Sequence, residues 1–217
     1  MSTASAPEPS SLQQYDLDRG GEVTGADEAG RGCLAGPIVA AGVRFDYRNM
    51  TAADLQDLAK LNDSKKLTPS TRERLFGLVL RHAAAATVVV RSAGWIDNHG
   101  LHRTNLEILA TASDRVWSPG CSALIDGFAV GDAHDCSEAV IKGDATSAAI
   151  AAASVLAKVT RDRIMQAAAR EFPQYGFASH VGYATKAHQA AIIEHGPTRI
   201  HRMSFASAAY QQLALAT

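Results

Sequence analysis

The chain has 217 residues, 47% of them apolar and 20% charged, and its 21 basic and 22 acidic side chains leave a formal net charge of −1. That length suits one domain with an appendage, and the balance is that of a folded chain rather than a disordered one. Bulk charge gives no reason to expect a polyanionic partner.

In chain order, residues 1–20 are expected to form an N-terminal tail, mobile over its Ser-, Pro- and Ala-rich start, with order beginning near Tyr15. Residues 22–27 and 36–45 read as two strands joined by a turn that Gly30, Gly32 and Gly36 punctuate. Thr68 followed by Pro69 is a helix start, and Leu75, Leu78 and Val79 then recur at helical spacing. Residues 87–91 (TVVVR) read as a buried strand, and residues 101–116 as a helix with Leu101, Asn105, Ile108, Ala112 and Val116 along one side. Residues 122–126 and 139–142 are further strands. From Thr146 an alanine-rich helix follows, whose small residues suit close packing on a sheet. A last helix, from about Tyr183 to His195, is closed by Gly196-Pro197. Strands alternating with helices predict an α/β fold with a mixed sheet.

No apolar run approaches the ~20 residues needed to span a bilayer, and residues 1–22 lack the basic start and apolar run of a secretory signal. Cys33, Cys121 and Cys136 are odd in number and have no C-x-x-C spacing, which argues against a disulfide framework and a zinc ribbon. A reducing, cytoplasmic setting and no membrane partner are expected. Charge is uneven, however. Lys158 to Arg202 holds seven basic residues against three acidic, and four of the eight histidines. Lys186, Arg199 and Arg202 are therefore candidates for binding a phosphate backbone, against the blander reading of a solvated basic face.

Acids stand at the ends of predicted strands: Asp27 and Glu28 after the first, Asp126 and Asp144 at or just after later ones. Acids that converge from strand ends repel by about 4 kcal/mol per pair at ~4 Å and a dielectric near 20, so a cluster implies a bound cation. All-oxygen donors select hard ions such as Mg²⁺ or Mn²⁺, and paired ions serve in-line phosphoryl displacement. The segment Gly30-Arg31-Gly32-Cys33-Leu34-Ala35 matches G-x-G-x-x-A, the dinucleotide fingerprint, but a strand rather than a helix follows it, which removes the oxidoreductase reading. What remains is a turn whose uncovered backbone can approach a sugar-phosphate closely.

These residues resemble ribonuclease HII, the type 2 ribonuclease H family. The resemblance rests on GADEAGRG at 25–32, LNDSKKL at 61–67, LIDG at 124–127, KGDATSAAIAAASVLAKVTRD at 142–162, YGFASHVGYATKAH at 175–188 and HRMSF at 201–205. It implies a ribonuclease H-like mixed β-sheet flanked by helices over residues 21–170, and a small C-terminal helical substrate-binding module over residues 171–217. It further implies an endonuclease that cleaves the RNA strand of RNA/DNA hybrids and incises duplex DNA 5′ to embedded ribonucleotides, leaving 5′-phosphate and 3′-hydroxyl ends. A hybrid-only ribonuclease H is the alternative.

Carried over, Asp27, Glu28, Asp126 and Asp144 are the catalytic carboxylates of a two-metal site for Mn²⁺ or Mg²⁺. Gly30, Arg31 and Gly32 contact the ribose 2′-hydroxyl, the group that tells RNA from DNA. Tyr183 packs on the sugar at the RNA to DNA junction, Ser64 and Lys65 lie near the backbone, and Lys186 joins the substrate-binding set. The enzyme is expected to act as a monomer. Two departures are Cys33, where proline is common, and Phe128, where asparagine often follows Asp-Gly. His188 and His195 are expected to be solvated or phosphate-facing, and Ser147 and Ser154 to cap or pack.

Overall fold

In the computed structural model, which describes residues 8–130 and 137–216, β1 (Glu22–Ala29) and β2 (Ile38–Asp46) run antiparallel from opposite sides of the glycine turn. β3 (Ala85–Arg91) continues the antiparallel meander on one side, whereas β4 (Ser122–Asp126) and β5 (Ser137–Val140) add in parallel on the other. The resulting five-stranded order is β3-β2-β1-β4-β5. This is the mixed, helix-flanked sheet that the sequence predicts.

Strand alternation divides the core between the two faces. On β2, Val39, Ala41, Val43 and Phe45 join the cluster under the long helix α6, while Ile38 and Ala40 join the cluster on the opposite face with Ile108, Leu109 and Ala112. In chain order the helices are α1 (Ser11–Leu17), α2 (Ala52–Leu58), α3 (Pro69–His82), α4 (Ala93–His99), α5 (Leu101–Val116), α6 (Ala148–Glu171), α7 (Phe177–His180), α8 (Lys186–His195) and α9 (Ala208–Ala216). The expected starts of α3 and α6 hold: Thr68 caps the first with Pro69 inside it, and Ser147 accepts the Ile150 N–H at the head of the second. α8 begins later than expected, because Thr185 takes the N-cap and leaves Tyr183 in the preceding loop.

Close approach of helix to sheet is enforced by two strand glycines. A methyl on Gly25 would lie 2.2 Å from the Ala149 carbonyl carbon of α6, and one on Gly42 would lie 2.2 Å from the Ala112 oxygen of α5. The alanine run of α6 and the glycine of β1 therefore act as one packing device.

The tail expected over residues 1–20 needs correction. Residues 1–7 lie outside the described residues, as does Cys136, but α1 is part of the core. Its Asp16 is fully buried and accepts bonds from Tyr47 Oη (2.7 Å), Ser147 Oγ (2.6 Å) and the Ala149 N–H (2.9 Å). Asp16 thus satisfies the first turn of α6 from outside the helix, and burial pushes its carboxyl up to about 6. A compositional reading misses this because α1 is too short to show a period.

A third cluster unites Leu34 and Ala35 of the turn, Met165 of α6, and Tyr175, Phe177, Ala191 and Ile192 beyond α6. The C-terminal helices are therefore seated on the glycine turn as well as on the end of α6.

Gly25→Ala should destabilise by about 2–3 kcal/mol or more, since backbone rather than side chain meets the new methyl. Gly77→Ala, exposed in α3 with open space around it, should stabilise by about 0.5–1 kcal/mol. Urea unfolding with an unchanged slope measures both; a neutral Gly25→Ala would contradict the packing described.

Candidate active site

Parallel pairing of β1 with β4 sets Ala26 opposite Ile125, so Asp27 and Asp126 follow side by side at the same end of the sheet. Asp126 Oδ1 accepts the Gly143 N–H at 2.7 Å, which draws in the turn that carries Asp144. That turn begins at Lys142, one of two non-glycine residues described with positive φ (54°). Asp27 Oδ1 accepts the Glu28 N–H at 2.6 Å.

The four predicted acids sense one another. Burial, then Glu28 and Asp126, hold the Asp27 carboxyl well above the usual range. Burial raises Glu28 and Asp126 as well, Glu28 also feeling Asp126. Asp144 is raised by burial, then by Asp63 and Asp126. Among the described residues no three His, Cys, Asp or Glu side chains already close around one ion position, so the acids form a coupled cluster rather than a finished cage. The donors are all oxygens, and Glu28 Oε2 is buried without a hydrogen-bond partner. A hard divalent cation fits that set, because it would neutralise the repulsion and take the orphaned oxygen.

Beside the acids lies a pocket of about 180 Å³ lined by Glu28, Gly30, Arg31, Gly32, Ser64, Lys65, Ser154, Lys158 and Tyr183. Every predicted substrate residue except Lys186, Arg199 and Arg202 is in this lining. Lys186 is exposed in the first turn of α8 and does not line it. Tyr183 is 43% exposed, with its phenol against the buried Cys33 thiol. Phe128 packs under Arg31, whose guanidinium carbon is 4.5 Å from the ring centroid. Both departures from the family pattern therefore touch substrate-side residues.

Four residues went unassigned in the sequence reading. Asp63, Asp27, Asp126 and Asp144 all act on Lys65; burial works against its charge, yet these acids hold its ammonium above the usual lysine value. Asp63 sits inside LNDSKKL, so the motif held the signal. Lys158 lines the pocket one turn before Asp162 and pairs with it at 2.7 Å. Asn105, a buried polar residue on an otherwise apolar helix side, lies against Glu28 and favours its ionised form. Arg161, counted only as charge, is fully buried.

Arg161 and Arg202 correct the surface reading of the basic stretch. Arg161 donates to the carbonyls of Pro37 (3.0 Å), Val181 (2.9 Å) and Ala35 (3.1 Å), and Arg202 to those of Gly36 (3.0 Å) and Arg31 (2.9 Å). A methyl on Gly30 would lie 1.9 Å from Arg161 Nε, while Gly32 faces open space. Arg202 is thus scaffold for the turn rather than a phosphate contact, and exposed Arg199 pairs with Glu171 at 2.5 Å. His188 is buried rather than solvated. Ser147 caps α6, and Ser154 shares a 2.8 Å bond with Ser64 beside Asp27.

The family model described as Ribonuclease HII matches residues 24–208. Ribonuclease HII of Rhizobium johnstonii is 47% identical over 186 residues, covering 84% of this chain and 77% of the relative. Ribonuclease H2 from Pyrococcus horikoshii OT3 superposes with a TM-score of 0.74 at 24% identity, covering 90% of this chain and 98% of that one. Bst-RNase HIII in complex with Mn²⁺ superposes at 0.66 and 21% identity, covering 100% and 77%. These two likenesses bear on the fold.

Raised carboxyls make the metal-free fold less stable as pH climbs above the unfolded carboxyl value near 4, because the unfolded chain then releases protons that the folded chain retains. Without divalent ions at pH 7, Asp27→Asn should therefore melt above the wild type, and the gap should close towards about pH 4. Millimolar Mn²⁺ should raise the wild-type Tm more than that of the variant. Calorimetry measures all three; a variant melting lower at pH 7 would contradict the repulsion assigned to Asp27.

Proposed function

The chain belongs to the ribonuclease HII family and is thus an endonucleolytic ribonuclease H acting on RNA/DNA, and from that premise we propose that it also incises duplex DNA 5′ to single embedded ribonucleotides. The observation that carries this reading is one juxtaposition: the acid cluster opens onto the pocket shared by the Gly30–Gly32 backbone and Tyr183. A pocket that holds a 2′-hydroxyl reader and a sugar platform beside the acids suits a single RNA to DNA junction, where a long hybrid needs only the acids and general backbone contacts.

In this reading Asp27, Glu28, Asp126 and Asp144 hold two divalent ions, Mg²⁺ or Mn²⁺, an ion class that the Mn²⁺ bound by Bst-RNase HIII supports. Bound there, such ions would supply activation of a water and charge stabilisation for the leaving 3′ oxygen, the chemistry that gives 5′-phosphate and 3′-hydroxyl ends. The chain's own groups do the positioning. Backbone groups of Gly30, Arg31 and Gly32 take the 2′-hydroxyl, with Gly32 open to the approach of a sugar. The Tyr183 ring carries the next deoxyribose. Lys65 and Lys158 would meet phosphate oxygens, Lys65 being held charged by the neighbouring acids. Ser64, bonded to Ser154, holds that loop against Asp27.

Incision of a duplex carrying one ribonucleotide should occur with Mg²⁺ or Mn²⁺ and stop with EDTA. Asp27→Asn and Asp126→Asn should lose several orders of magnitude in turnover while staying folded, at about tenfold per 1.4 kcal/mol of lost stabilisation. Tyr183→Ala should lose about ten- to hundredfold at a single ribonucleotide and much less on a long hybrid, and Tyr183→Phe should keep most activity. Cleavage of the hybrid with no incision at the single ribonucleotide would leave a hybrid-only enzyme.

A further inference from the structure

Tyr183 follows a strained stretch. Val181, a β-branched residue, has φ 43°, a conformation such residues rarely adopt, and Gly182 has φ 87°. Backbone of this kind persists only where its surroundings over-determine it. Here nearly every polar group of residues 181–183 is taken: Val181 O by Arg161, Gly182 O by the Ala35 N–H, the Gly182 N–H by His180 Nδ1 at 3.2 Å, and Tyr183 O by the Thr185 N–H and by His188. A methyl on Gly182 would lie 2.3 Å from the Ala35 oxygen, so the segment is pressed onto the glycine turn.

The histidines behind it have their protons assigned by their partners. His188 Nδ1 is 2.8 Å from Tyr183 O, which can only accept, so Nδ1 carries a proton. Neutral His188 then has a bare Nε2, which lies 3.1 Å from His201 Nε2. His201 must donate there, leaving its Nδ1 bare, and that nitrogen accepts the Thr198 N–H at 2.8 Å. The chain of donors therefore runs in one direction, from Thr198 through His201 and His188 to the Tyr183 carbonyl. A third ring, His180, stacks on His188 with centroids 4.5 Å apart; its Nε2 donates to Tyr175 O at 2.7 Å, consistent with the bare Nδ1 that accepts from Gly182.

We propose that the His201–His188 relay is a positioning device for Tyr183, locking its peptide, and so its ring, over the Gly30–Gly32 turn. The proposal rests on the junction role given to Tyr183 above. Neither histidine lines the pocket, so each acts through Tyr183 and not on substrate.

The relay works only while both rings are neutral. A second proton on His188 would set two N–H groups against each other across 3.1 Å, and one on His201 Nδ1 would displace the Thr198 N–H, with Thr198 Oγ1 at 2.9 Å left to accept it. Burial, then His188, pushes His201 down to about 4, and burial pushes His188 below its ordinary value. Facing groups from the packed elements are the His180, Tyr175 and Phe177 rings, with His195 beyond Tyr175. With folded values depressed, the neutral relay contributes its full stability above the unfolded histidine value near 6.5 and loses it as pH falls towards the folded values.

Two substitutions separate the links. His188→Asn keeps an amide N–H where Nδ1 stood and retains the bond to Tyr183; His188→Gln sets its amide where Nε2 stood and loses that bond. Measured as kcat/KM on a single-ribonucleotide duplex and on a long hybrid, His188→Gln should reproduce the substrate profile of Tyr183→Ala, with a loss of about tenfold or more at the junction. His188→Asn should stay within about threefold of wild type. The ratio of the two substrates cancels titration of the shared carboxylates; in the wild type it should hold from pH 7 to pH 5 and fall as pH nears 4, where the His201 value lies, and it should stay flat in His188→Asn. Should His188→Gln fail to fold, long-range ¹H–¹⁵N correlation spectra of the wild type still decide: His188 protonated at Nδ1 and His201 at Nε2 support the relay, and the opposite tautomer at either ring overturns it. Wild-type rates for His188→Gln beside a defective Tyr183→Ala also overturn it. If Tyr183→Ala lowers both substrates equally, the junction reading fails, while a His188→Gln that follows it still supports the relay.

Discussion

Two buried guanidiniums hold the glycine turn from beneath. Arg161 and Arg202 are fully buried, and among the described residues neither has an ion-pair partner. Their charge is instead spread over five backbone carbonyls, four of them between Arg31 and Pro37. Burying a cation on carbonyls alone is costly, and burial pulls Arg202 down to about 10. The arrangement dictates much around it. It requires glycine at position 30 and ties α6 and the HRMSF segment to the turn.

The opposite electrostatic problem stands a few residues away. Asp27, Glu28, Asp126 and Asp144 are pressed together, with Lys65 beside the cluster and Arg31 beside Glu28 as near cations. The sheet leaves no choice, because the parallel register brings two acid-tipped strand ends side by side and the Asp126 to Gly143 bond brings a third. In the proposed function, cations and an anionic substrate would each relieve part of the strain: ions would neutralise the acids, and phosphates would meet Lys65 and Lys158. On that proposal, metal and polyanion would arrive at adjoining places.

Much of this was legible from the chain. Strand-end acids, the Thr68-Pro69 helix start and the alanine-rich helix are local patterns, and each came out close to its observed bounds. The short helices α1, α2, α4 and α7 did not, since four to seven residues carry no readable period. Arginines and histidines were the weakest point. Charge counting treats Arg161, Arg202 and His188 as surface, and only the three-dimensional return of residues 161–202 onto the turn reveals that they are buried. Asn105 was visible as a polar interruption on an apolar helix side, yet nothing local indicates that it faces Glu28.

The central claim is that the turn is preformed by buried arginines independently of the metal site, and Arg202→Met tests it most directly. Methionine fills similar volume and removes a buried charge, but leaves the Arg31 and Gly36 carbonyls without their partner. The measurement is kcat/KM on a duplex with one ribonucleotide relative to a long hybrid, taken beside Mn²⁺ affinity. The account predicts unchanged Mn²⁺ affinity with a loss of tenfold or more confined to the single ribonucleotide, and an unaltered substrate ratio in a folded variant would contradict it.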